Sequence, residues 1–177
     1  MDILDSAVIP GLKRISLHAF RDDRGHFFET YNADDHAFAR PDGSAVAFVE
    51  DDVSVSRRHV LRGLHGDERT YKLVSCLHGA MSFVVADLRR DSPAHLRWEA
   101  CALSGDEPLQ LLIPAGCAAG FVALEESTIL AYKQSERYRG EAGQFTVRWD
   151  DPALAITWPV ERPLLSARDA SAPNLVL

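Results

Sequence analysis

Short apolar or alternating runs recur along the chain, and turn signals such as His78-Gly79 and Pro114-Ala115-Gly116 separate them. Runs of this length and spacing predict β-strands that form an antiparallel sandwich or barrel. The predicted strands cover residues 12–19, 46–55, 71–77, 80–87, 96–103, 109–113, 120–124, 128–134 and 145–149. We therefore expect a mainly β fold.

Helix is a minor component of the pattern. Residues 34–39, with Asp34 as a cap, are the best helix candidate, and the Pro-, Ser- and Asp-rich stretch 158–177 predicts a loop with one short helical turn. No repeat and no Pro/Gly/Ser-rich linker divides the sequence. We expect a single domain over residues 1–177.

Composition narrows the range of functions. Lys and Arg total 19 against 26 Asp and Glu, a net charge of −7 without a basic run, so nucleic acid is not an expected partner. An acid, Asp2, stands near the N-terminus, and no apolar run approaches the roughly 20 residues that span a bilayer. Three widely spaced cysteines are typical of a reducing compartment. We expect a cytoplasmic protein without a membrane segment.

The densest polar cluster of the sequence leads up to His65. If this segment alternates as a strand, His65 and Gly63 share one face, and Arg62 and Leu64 share the other. A partly buried histidine that is satisfied by hydrogen bonds is the structural alternative. Gly63 admits the close approach of a ligand, and together with nearby Lys72 it favours a functional site.

Other catalytic patterns are absent from the sequence. The seven histidines are dispersed without a His-x-His pair, and a transition-metal site needs three or four oriented ligands, so no metal site is expected. The Gly-x-Ser-x-Gly elbow, the P-loop and the dinucleotide glycine fingerprint do not occur. Hydrolase and nicotinamide-dependent functions are therefore not expected.

A series of motifs, in this order, resembles one known family. The motifs are Asp23-Arg24-Gly25-His26-Phe27-Phe28-Glu29, Leu61-Arg62-Gly63-Leu64-His65, Lys72-Leu73-Val74, Asp87-Leu88-Arg89, Ile113-Pro114-Ala115-Gly116, Tyr132, Tyr138, Trp149-Asp150-Asp151-Pro152 and Leu165-Ser166-Ala167-Arg168-Asp169. By their order and spacing the sequence resembles the dTDP-4-dehydrorhamnose 3,5-epimerase family. The resemblance implies a cupin-like antiparallel jelly roll without metal or cofactor, a homodimer, and a nucleotide-linked 4-keto-6-deoxy sugar as substrate.

The resemblance also assigns roles to single residues. It implies His65 as the base that removes the proton next to the ketone, with Asp169 as its partner acid. Tyr132 is implied as the acid on the opposite face of the sugar, and Lys72 as the group that stabilises the enolate oxygen. The resemblance implies that Arg62 and Arg24 bind the diphosphate, with Arg24 from the same or the other subunit. It also implies that Phe27, Glu29 and Tyr138 line the nucleotide and sugar pocket.

These roles agree with the chemistry of the side chains. Imidazole takes up a proton near neutral pH, and a carboxylate fixes its tautomer. An ammonium group in a water-poor pocket stabilises an enolate, and a phenol is protonated at neutral pH and ready to donate. The planar fork of arginine suits a diphosphate. Taken singly, each residue has an equally good structural explanation in packing, solvation or capping, and only the joint pattern favours a site.

Departures from the family pattern concern the substrate. Glu50 and Asp52 stand where the family usually has the amides of Gln-x-Asn, so these expected substrate contacts are potential anions. Phe83 and Ala119 replace a second His-Asp pair, and the loop at 66–71 is short. This loop resembles that of a branch acting on other nucleotide sugars, including GDP-linked keto-heptoses.

The expected function is epimerisation at C3, C5 or both of a nucleotide-linked 4-keto-6-deoxy sugar through an enolate. Within this class the alternatives are a single-centre epimerase and an enzyme for another nucleotide sugar, such as a GDP-linked 4-keto-heptose. Outside it, the alternatives are a catalytically silent sugar-nucleotide-binding cupin and a metal-dependent cupin enzyme, against which the histidine pattern argues.

Overall fold

Antiparallel strands form nearly all the regular structure of the protein, in a computed structural model that describes residues 1–176. In chain order the strands are β1 (Asp2–Asp5), β2 (Lys13–Ser16), β3 (Ala19–Asp22), β4 (Gly25–Phe28), β5 (Glu50–Ser56), β6 (Leu61–Gly66), β7 (Lys72–His78), β8 (Ala80–Asp87), β9 (Trp98–Ser104), β10 (Leu109–Ile113), β11 (Cys117–Ala123), β12 (Thr128–Gln134) and β13 (Phe145–Thr146). Helical structure within these residues is limited to a 3-10 turn at Glu141–Gly143 and to α1 (Ala167–Ala170).

The strands form two main sheets whose inner faces pack against each other. The first sheet has the order β1-β2-β10-β7-β12-β5, and the second has the order β13-β6-β11-β8-β9. The core between them takes side chains from both sheets, including Val74 and Leu130 from the first and Phe83 and Phe121 from the second. Strands β3 and β4 pair only with each other. The predicted mainly β, cupin-like jelly roll is thus confirmed.

Most of the predicted strands are present. The predictions at 80–87, 109–113 and 128–134 coincide with β8, β10 and β12 at both ends. Those at 71–77, 96–103 and 120–124 correspond to β7, β9 and β11 with ends displaced by a few residues. Alternation reports which side chains are buried, whereas the ends of a strand depend on where its last hydrogen-bonded partner lies.

Three predicted strands were too long. Strand β5 begins only at Glu50, because Val46 pairs its backbone with Phe38 and packs into a separate apolar cluster with it. The predicted strand 12–19 is divided between β2 and the first residue of β3. The predicted strand 145–149 is reduced to the two residues of β13.

The predicted helix at 34–39 was wrong. The His36 amide donates to the Asn32 carbonyl over 2.9 Å, but the next bond, from Phe38 to the His36 carbonyl, spans only two residues, and Ala39 enters a β-bridge. The buried His36 ring also contacts the Asn32 carbonyl through Nδ1, at 3.0 Å, and Gln110 through Nε2, at 3.1 Å. These side-chain bonds hold the chain in a single turn.

The predicted alternation of β6 was also wrong, because a register shift interrupts its pairing with β11. His65 pairs with Ala119 and Arg62 pairs with Phe121. Directly paired residues of antiparallel strands share a face, and Ala119 and Phe121 both pack on the core between the sheets. Arg62 and His65 therefore both point into the space between the sheets, while Leu64 packs in a cluster on the outer face.

Gly63 makes this bulge sterically possible. Its φ of 126° is a conformation that residues with a Cβ rarely adopt. A Cβ at this position would lie 2.5 Å from the Gly120 Cα and 2.8 Å from the Ala119 carbonyl oxygen. The glycine thus lets the backbones of β6 and β11 approach closely, and the bulge turns His65 inward beside Arg62.

The C-terminal segment covers the outer face of the second sheet. Ile156, Trp158 and Leu175 pack there around Leu64. The predicted short helical turn is confirmed as α1, which lies beside β6. No helix among residues 1–176 has the length and hydropathy needed to cross a membrane.

Candidate active site

One wall of the space between the sheets carries most of the polar side chains. On the first sheet, Gln134 of β12 pairs with Lys72 of β7 on one side and with Glu50 of β5 on the other. In the next row, Tyr132 pairs with Asp52. Because Tyr132 packs against the core between the sheets, these two rows face inward.

The opposite wall belongs to the second sheet and is mostly apolar. Arg62 and His65 provide its polar groups, next to Phe121 and Ala119. The Phe83 ring stacks on Phe121 with centroids 6.3 Å apart. Phe83 and Ala119, which stand where the family carries a second His-Asp pair, are thus part of this apolar surface. His65 and Tyr132 face the same space from opposite sheets.

His65 and Asp169 form a hydrogen-bonded pair. His65 Nε2 lies 2.7 Å from Asp169 Oδ1. The His65 side chain is 23% exposed, whereas the Asp169 side chain is only 3% exposed. The pair therefore presents the imidazole to the space between the sheets and keeps the carboxylate behind it.

The local structure keeps Asp169 ionised. Burial raises the pKa of Asp169, but hydrogen bonds from His65, Ser166 and the backbone of Gly63 outweigh burial and hold it below its usual range. Ser166 is the N-cap of α1 and donates from Oγ to Asp169 Oδ2 over 2.9 Å. Because an ionised carboxylate only accepts, the proton of the pair resides on His65 Nε2, and Nδ1 is left to take up another.

Lys72 supplies the cation of the site. It is mostly buried at the start of β7, and the lysine ion pairs among residues 1–176 involve Lys13 and Lys133 instead. Burial lowers the pKa of Lys72, Arg168 adds to this effect, and Asp67 and Asp52 oppose it. A mostly buried cation without an ion-pair partner among residues 1–176 is suited to a negative charge that develops on a bound molecule.

Tyr132 is a neutral phenol on the polar wall. Burial raises the pKa of Tyr132 to about 12, with further contributions from Asp52, Glu50 and Tyr138 and an opposing one from Arg62. Tyr132 is therefore protonated throughout the physiological pH range.

Arg62 lies at the opening between the sheets. Its Nε donates to Ser56 Oγ over 3.0 Å and its Nη2 donates to the Val55 carbonyl over 3.4 Å, and the residue remains exposed. Tyr138, another expected contact, is 49% exposed and donates its backbone amide to Glu50 Oε2 over 3.0 Å at the other end of β5. An exposed arginine can bind an anion, and a half-exposed tyrosine can stack on a planar ligand.

Three expected contacts do not reach the site within one chain. Arg24 ion-pairs with Asp22 in the β3–β4 hairpin, and its side chain is 90% exposed. Phe27 of the same hairpin is 68% exposed, and Glu29, just after it, is also exposed. None of the hydrogen bonds and ion pairs within the described residues joins this hairpin to His65 or Tyr132.

Sequence reasoning missed two residues of the site. Gln134 bridges the carboxyl groups of Glu50 and Asp52, at 3.0 Å from each, and Ser166 holds Asp169. The sequence contains a signal for each of these two residues. Gln134 stands two positions after Tyr132 in a correctly predicted strand, and Ser166 stands three before Asp169, which is the spacing of a capping box.

The described residues contain no group of three His, Cys, Asp or Glu side chains arranged to hold a metal ion. The seven histidines serve different local purposes. His36, for example, is buried in a hydrogen-bonded cluster with Gln110. Of the histidines in the part of the chain that the structure describes, His65 is the one hydrogen-bonded to a carboxylate.

Comparison with known proteins identifies the family of this chain. The family model of dTDP-4-dehydrorhamnose 3,5-epimerase matches residues 6–176. The dTDP-4-dehydrorhamnose 3,5-epimerase of Salmonella typhimurium is 39% identical over 99% of this chain and 96% of its own length, and that of Pseudomonas aeruginosa is 43% identical over 91% and 89%. The crystal structure of the dTDP-6-deoxy-D-glucose-3,5-epimerase of Legionella pneumophila in complex with dTDP-4-keto-L-rhamnose superimposes with a TM-score of 0.87 at 36% identity, covering 97% of this chain and 90% of that one. This chain belongs to the dTDP-4-dehydrorhamnose 3,5-epimerase family and is an isomerase of the epimerase class.

Proposed function

We propose that this protein inverts C3 and C5 of a dTDP-linked 4-keto-6-deoxy sugar by removing and returning protons through an enolate. The observation that carries the proposal is the His65–Asp169 pair on one wall, with Tyr132 facing it from the other wall. The complex of the Legionella relative with dTDP-4-keto-L-rhamnose supports the substrate class. Residues 1–177 act as a single catalytic domain, because both sheets and the C-terminal helix contribute to the site.

His65 acts as the base. Its Nδ1 is free to accept, because Nε2 is committed to Asp169 over 2.7 Å. The carbons next to a ketone are acidic enough for an imidazole to deprotonate if the resulting enolate is stabilised. As the imidazole gains charge, the carboxylate of Asp169 stabilises it without itself taking the proton.

Lys72 stabilises the enolate. Its ammonium faces the same space as His65 and lies in a site where burial already lowers its pKa. In such surroundings an attraction between unlike charges is much stronger than in water. The charge that develops on O4 thus meets a cation that needs no rearrangement.

Tyr132 returns the proton on the opposite face. If His65 returned the proton that it had removed, the starting configuration would be regenerated. A donor across the sugar ring is therefore needed for inversion, and the Tyr132 phenol is protonated and lies on the opposite wall. Arg62 binds the diphosphate at the opening, and Tyr138 contacts the nucleotide or sugar beside it.

We further propose that the protein is a homodimer whose β3–β4 hairpin completes the partner's site. The hairpin exposes Phe20 and Phe27 by 62% and 68%, and the outer face of edge strand β5 exposes Val53 and Val55 by 65% and 60%. Apolar side chains on a hairpin and on a sheet edge are suited to a second copy of the chain. In this arrangement Arg24, with Phe27 and Glu29, reaches a diphosphate held by the other subunit.

Mixed dimers test this arrangement. His65→Ala and Arg24→Ala subunits are unfolded together, refolded and assayed against each variant alone. If Arg24 acts across the dimer, the mixed dimer contains one site with both wild-type residues, and activity rises above the mean of the two parents. Activity equal to that mean, or a monomer in sedimentation, would contradict the proposal.

Proton NMR in deuterated water tests the reaction itself. The purified protein, without added metal, is incubated with dTDP-4-keto-6-deoxy-D-glucose. Loss of the H3 and H5 signals together with appearance of the inverted product is the expected result. Loss at one position alone would establish a single-centre epimerase, and exchange only with a GDP-linked 4-keto-heptose would reassign the substrate. Binding of the nucleotide sugar without any exchange would indicate a catalytically silent sugar-nucleotide-binding protein.

A further inference from the structure

The imidazole of His65 has a different neighbour on each side within the second sheet. It pairs directly with Thr146 of β13 on one side and with Ala119 of β11 on the other. Side chains of directly paired residues lie on the same face of a sheet, with Cβ atoms about 4.5 to 5.5 Å apart. Thr146 and Ala119 therefore form the two flanks of the imidazole.

The flank on the β13 side is polar. Thr146 Oγ1 accepts hydrogen bonds from Arg168 Nε over 3.1 Å and from Arg168 Nη2 over 2.8 Å. The hydroxyl proton of Thr146 is not used in these bonds and can donate to a bound molecule. A substrate hydroxyl group that faces this flank therefore finds a hydrogen-bonding partner.

The flank on the β11 side is apolar. No residue of β11 has a side-chain oxygen or nitrogen. Ala119 is partly exposed, whereas Val85, Phe83 and Phe121 around it are only 0 to 3% exposed. On this side of the imidazole, a bound molecule therefore meets one methyl group in front of buried aliphatic and aromatic carbon.

Inversion of a ring carbon moves one of its substituents toward the second sheet. In the proposed mechanism His65 removes the proton from the face of the sugar that lies on this sheet, and Tyr132 returns a proton to the opposite face. The other substituent then turns toward the His65 side. At C3 this substituent is a hydroxyl group, and at C5 of a 6-deoxy sugar it is a methyl group.

The two flanks suit these two substituents differently. A hydroxyl group against β11 would lose its water without gaining a side-chain hydrogen bond, whereas a methyl group gains an apolar contact there. C3 and C5 lie on opposite sides of C4, whose oxygen faces Lys72 in the proposed mechanism. When C5 lies on the Ala119 flank, C3 therefore lies on the Thr146 flank.

We propose that Ala119 is a specificity-determining residue that receives the C5 methyl group when C5 is inverted. This inference rests on the proposed function. Because Val85, Phe83 and Phe121 are packed closely around it, Ala119 leaves room for a methyl group and not for a longer substituent. The residue thus favours sugars with a methyl group at C5.

Ala119→Val tests the contact by filling this space. Valine is well suited to a strand and adds no polar group. With dTDP-4-keto-6-deoxy-D-glucose we expect the initial rate of C5 inversion to fall by about tenfold or more and that of C3 inversion by less than about threefold. Deuterium exchange at C5 persists, since His65 still removes the proton and returns a deuteron to the same face. Ala102→Val, exposed on β9 of the same sheet, is the matched control and should keep both rates.

A longer substituent tests the same contact in the wild type and does not depend on the folding of a variant. In a dTDP-linked 4-keto-6-deoxy-heptose, C5 carries a hydroxyethyl group in place of the methyl group. We expect C5 inversion of this sugar to be slower than that of the 6-deoxyhexose by about tenfold or more. C3 inversion should proceed at similar rates in the two sugars.

Equal losses of C3 and C5 inversion in folded Ala119→Val, a selective loss at C3, or rates like those of the wild type would each overturn the inference. Circular dichroism identifies the folded protein. Equal rates of C5 inversion for the two sugars, or inversion of C3 alone in the wild type, would also overturn it. If the wild type exchanges neither H3 nor H5 of the 6-deoxyhexose, the proposed function itself fails. The failure of this inference is therefore distinguishable from the failure of the proposed function.

Discussion

Asp169 Oδ1 accepts a hydrogen bond of 2.7 Å from His65 Nε2, although 104 residues separate the two along the chain. The bulge in β6 turns His65 inward, and the N-cap of α1 places the carboxylate behind it. The hydrogen bond fixes both the tautomer and the direction of the imidazole. In the proposed mechanism, Nδ1 is the atom that meets the substrate.

Asp169→Asn is expected to lower deuterium exchange by about 100-fold or more, because an amide neither fixes the tautomer nor stabilises the imidazolium. Exchange is measured by proton NMR from initial rates. Ser166→Ala, which removes only the bond that holds Asp169, should cost less than about tenfold. Equal losses in the two variants would mean that both act through folding and not through His65.

Tyr132→Phe is expected to separate exchange from inversion. The base His65 is intact in this variant, so deuterium still enters the substrate. Inverted product falls by about 100-fold or more, since the donor on the opposite face is missing. Tyr31→Phe, in an apolar cluster on the outer face of the sheet, is the control. Loss of exchange and inversion in equal proportion would contradict the two-wall mechanism.

Lys72→Met is expected to lower exchange by about 100-fold or more, because no other cation replaces the ammonium at the enolate. Lys13→Met, a strand lysine that ion-pairs with Asp5, serves as control. In the wild type, burial lowers the pKa of Lys72, so exchange should decline with rising pH before the ordinary lysine value of about 10.4 is reached. Exchange that stays constant up to that pH would contradict the assignment.

Asp87→Asn is expected to destabilise the fold by about 2 to 4 kcal/mol at pH 7, because the fully buried carboxylate holds Arg89 at 2.6 Å. Burial raises the pKa of Asp87, but bonds from Arg89 and Ser92 outweigh it and lower the pKa below its usual value. The stabilisation is therefore present above about pH 4 and is lost as the pH falls through the lowered folded value.

Urea unfolding between pH 2.5 and 7 checks this expectation. The difference between wild type and Asp87→Asn should shrink in acid. The exposed neighbour Asp91 provides the control Asp91→Asn, which should unfold like the wild type at every pH. A difference that does not change with pH would mean that packing, and not the ionised carboxylate, accounts for the loss.

The sequence predicted the architecture well where one face of a strand is buried. Both ends of Thr128–Gln134, a largely apolar run, were predicted. The helix expected at 34–39 failed because His36 bonds to the backbone of Asn32 and to the distant Gln110. Local propensity cannot report a bond to a residue that is remote in sequence.

The candidate site residues came from the resemblance to a family more than from the alternation pattern. Alternation assigned Arg62 and His65 to opposite faces of β6, and only the bulge at Gly63 brings both inward. A register shift depends on the partner strand and leaves no periodic signal in the strand itself. Arg24 shows a second limit, since its proposed role in the site of another subunit cannot be read from one chain, in which it ion-pairs with Asp22 in the exposed β3–β4 hairpin.

Deuterium exchange by His65→Ala tests the central claim most directly. The measurement uses dTDP-4-keto-6-deoxy-D-glucose in deuterated water, with the exposed His59→Ala as matched control. We predict that exchange next to the ketone falls by about 10² to 10⁴-fold in His65→Ala and is unchanged in His59→Ala. Exchange at the full wild-type rate in a folded His65→Ala protein would contradict the account.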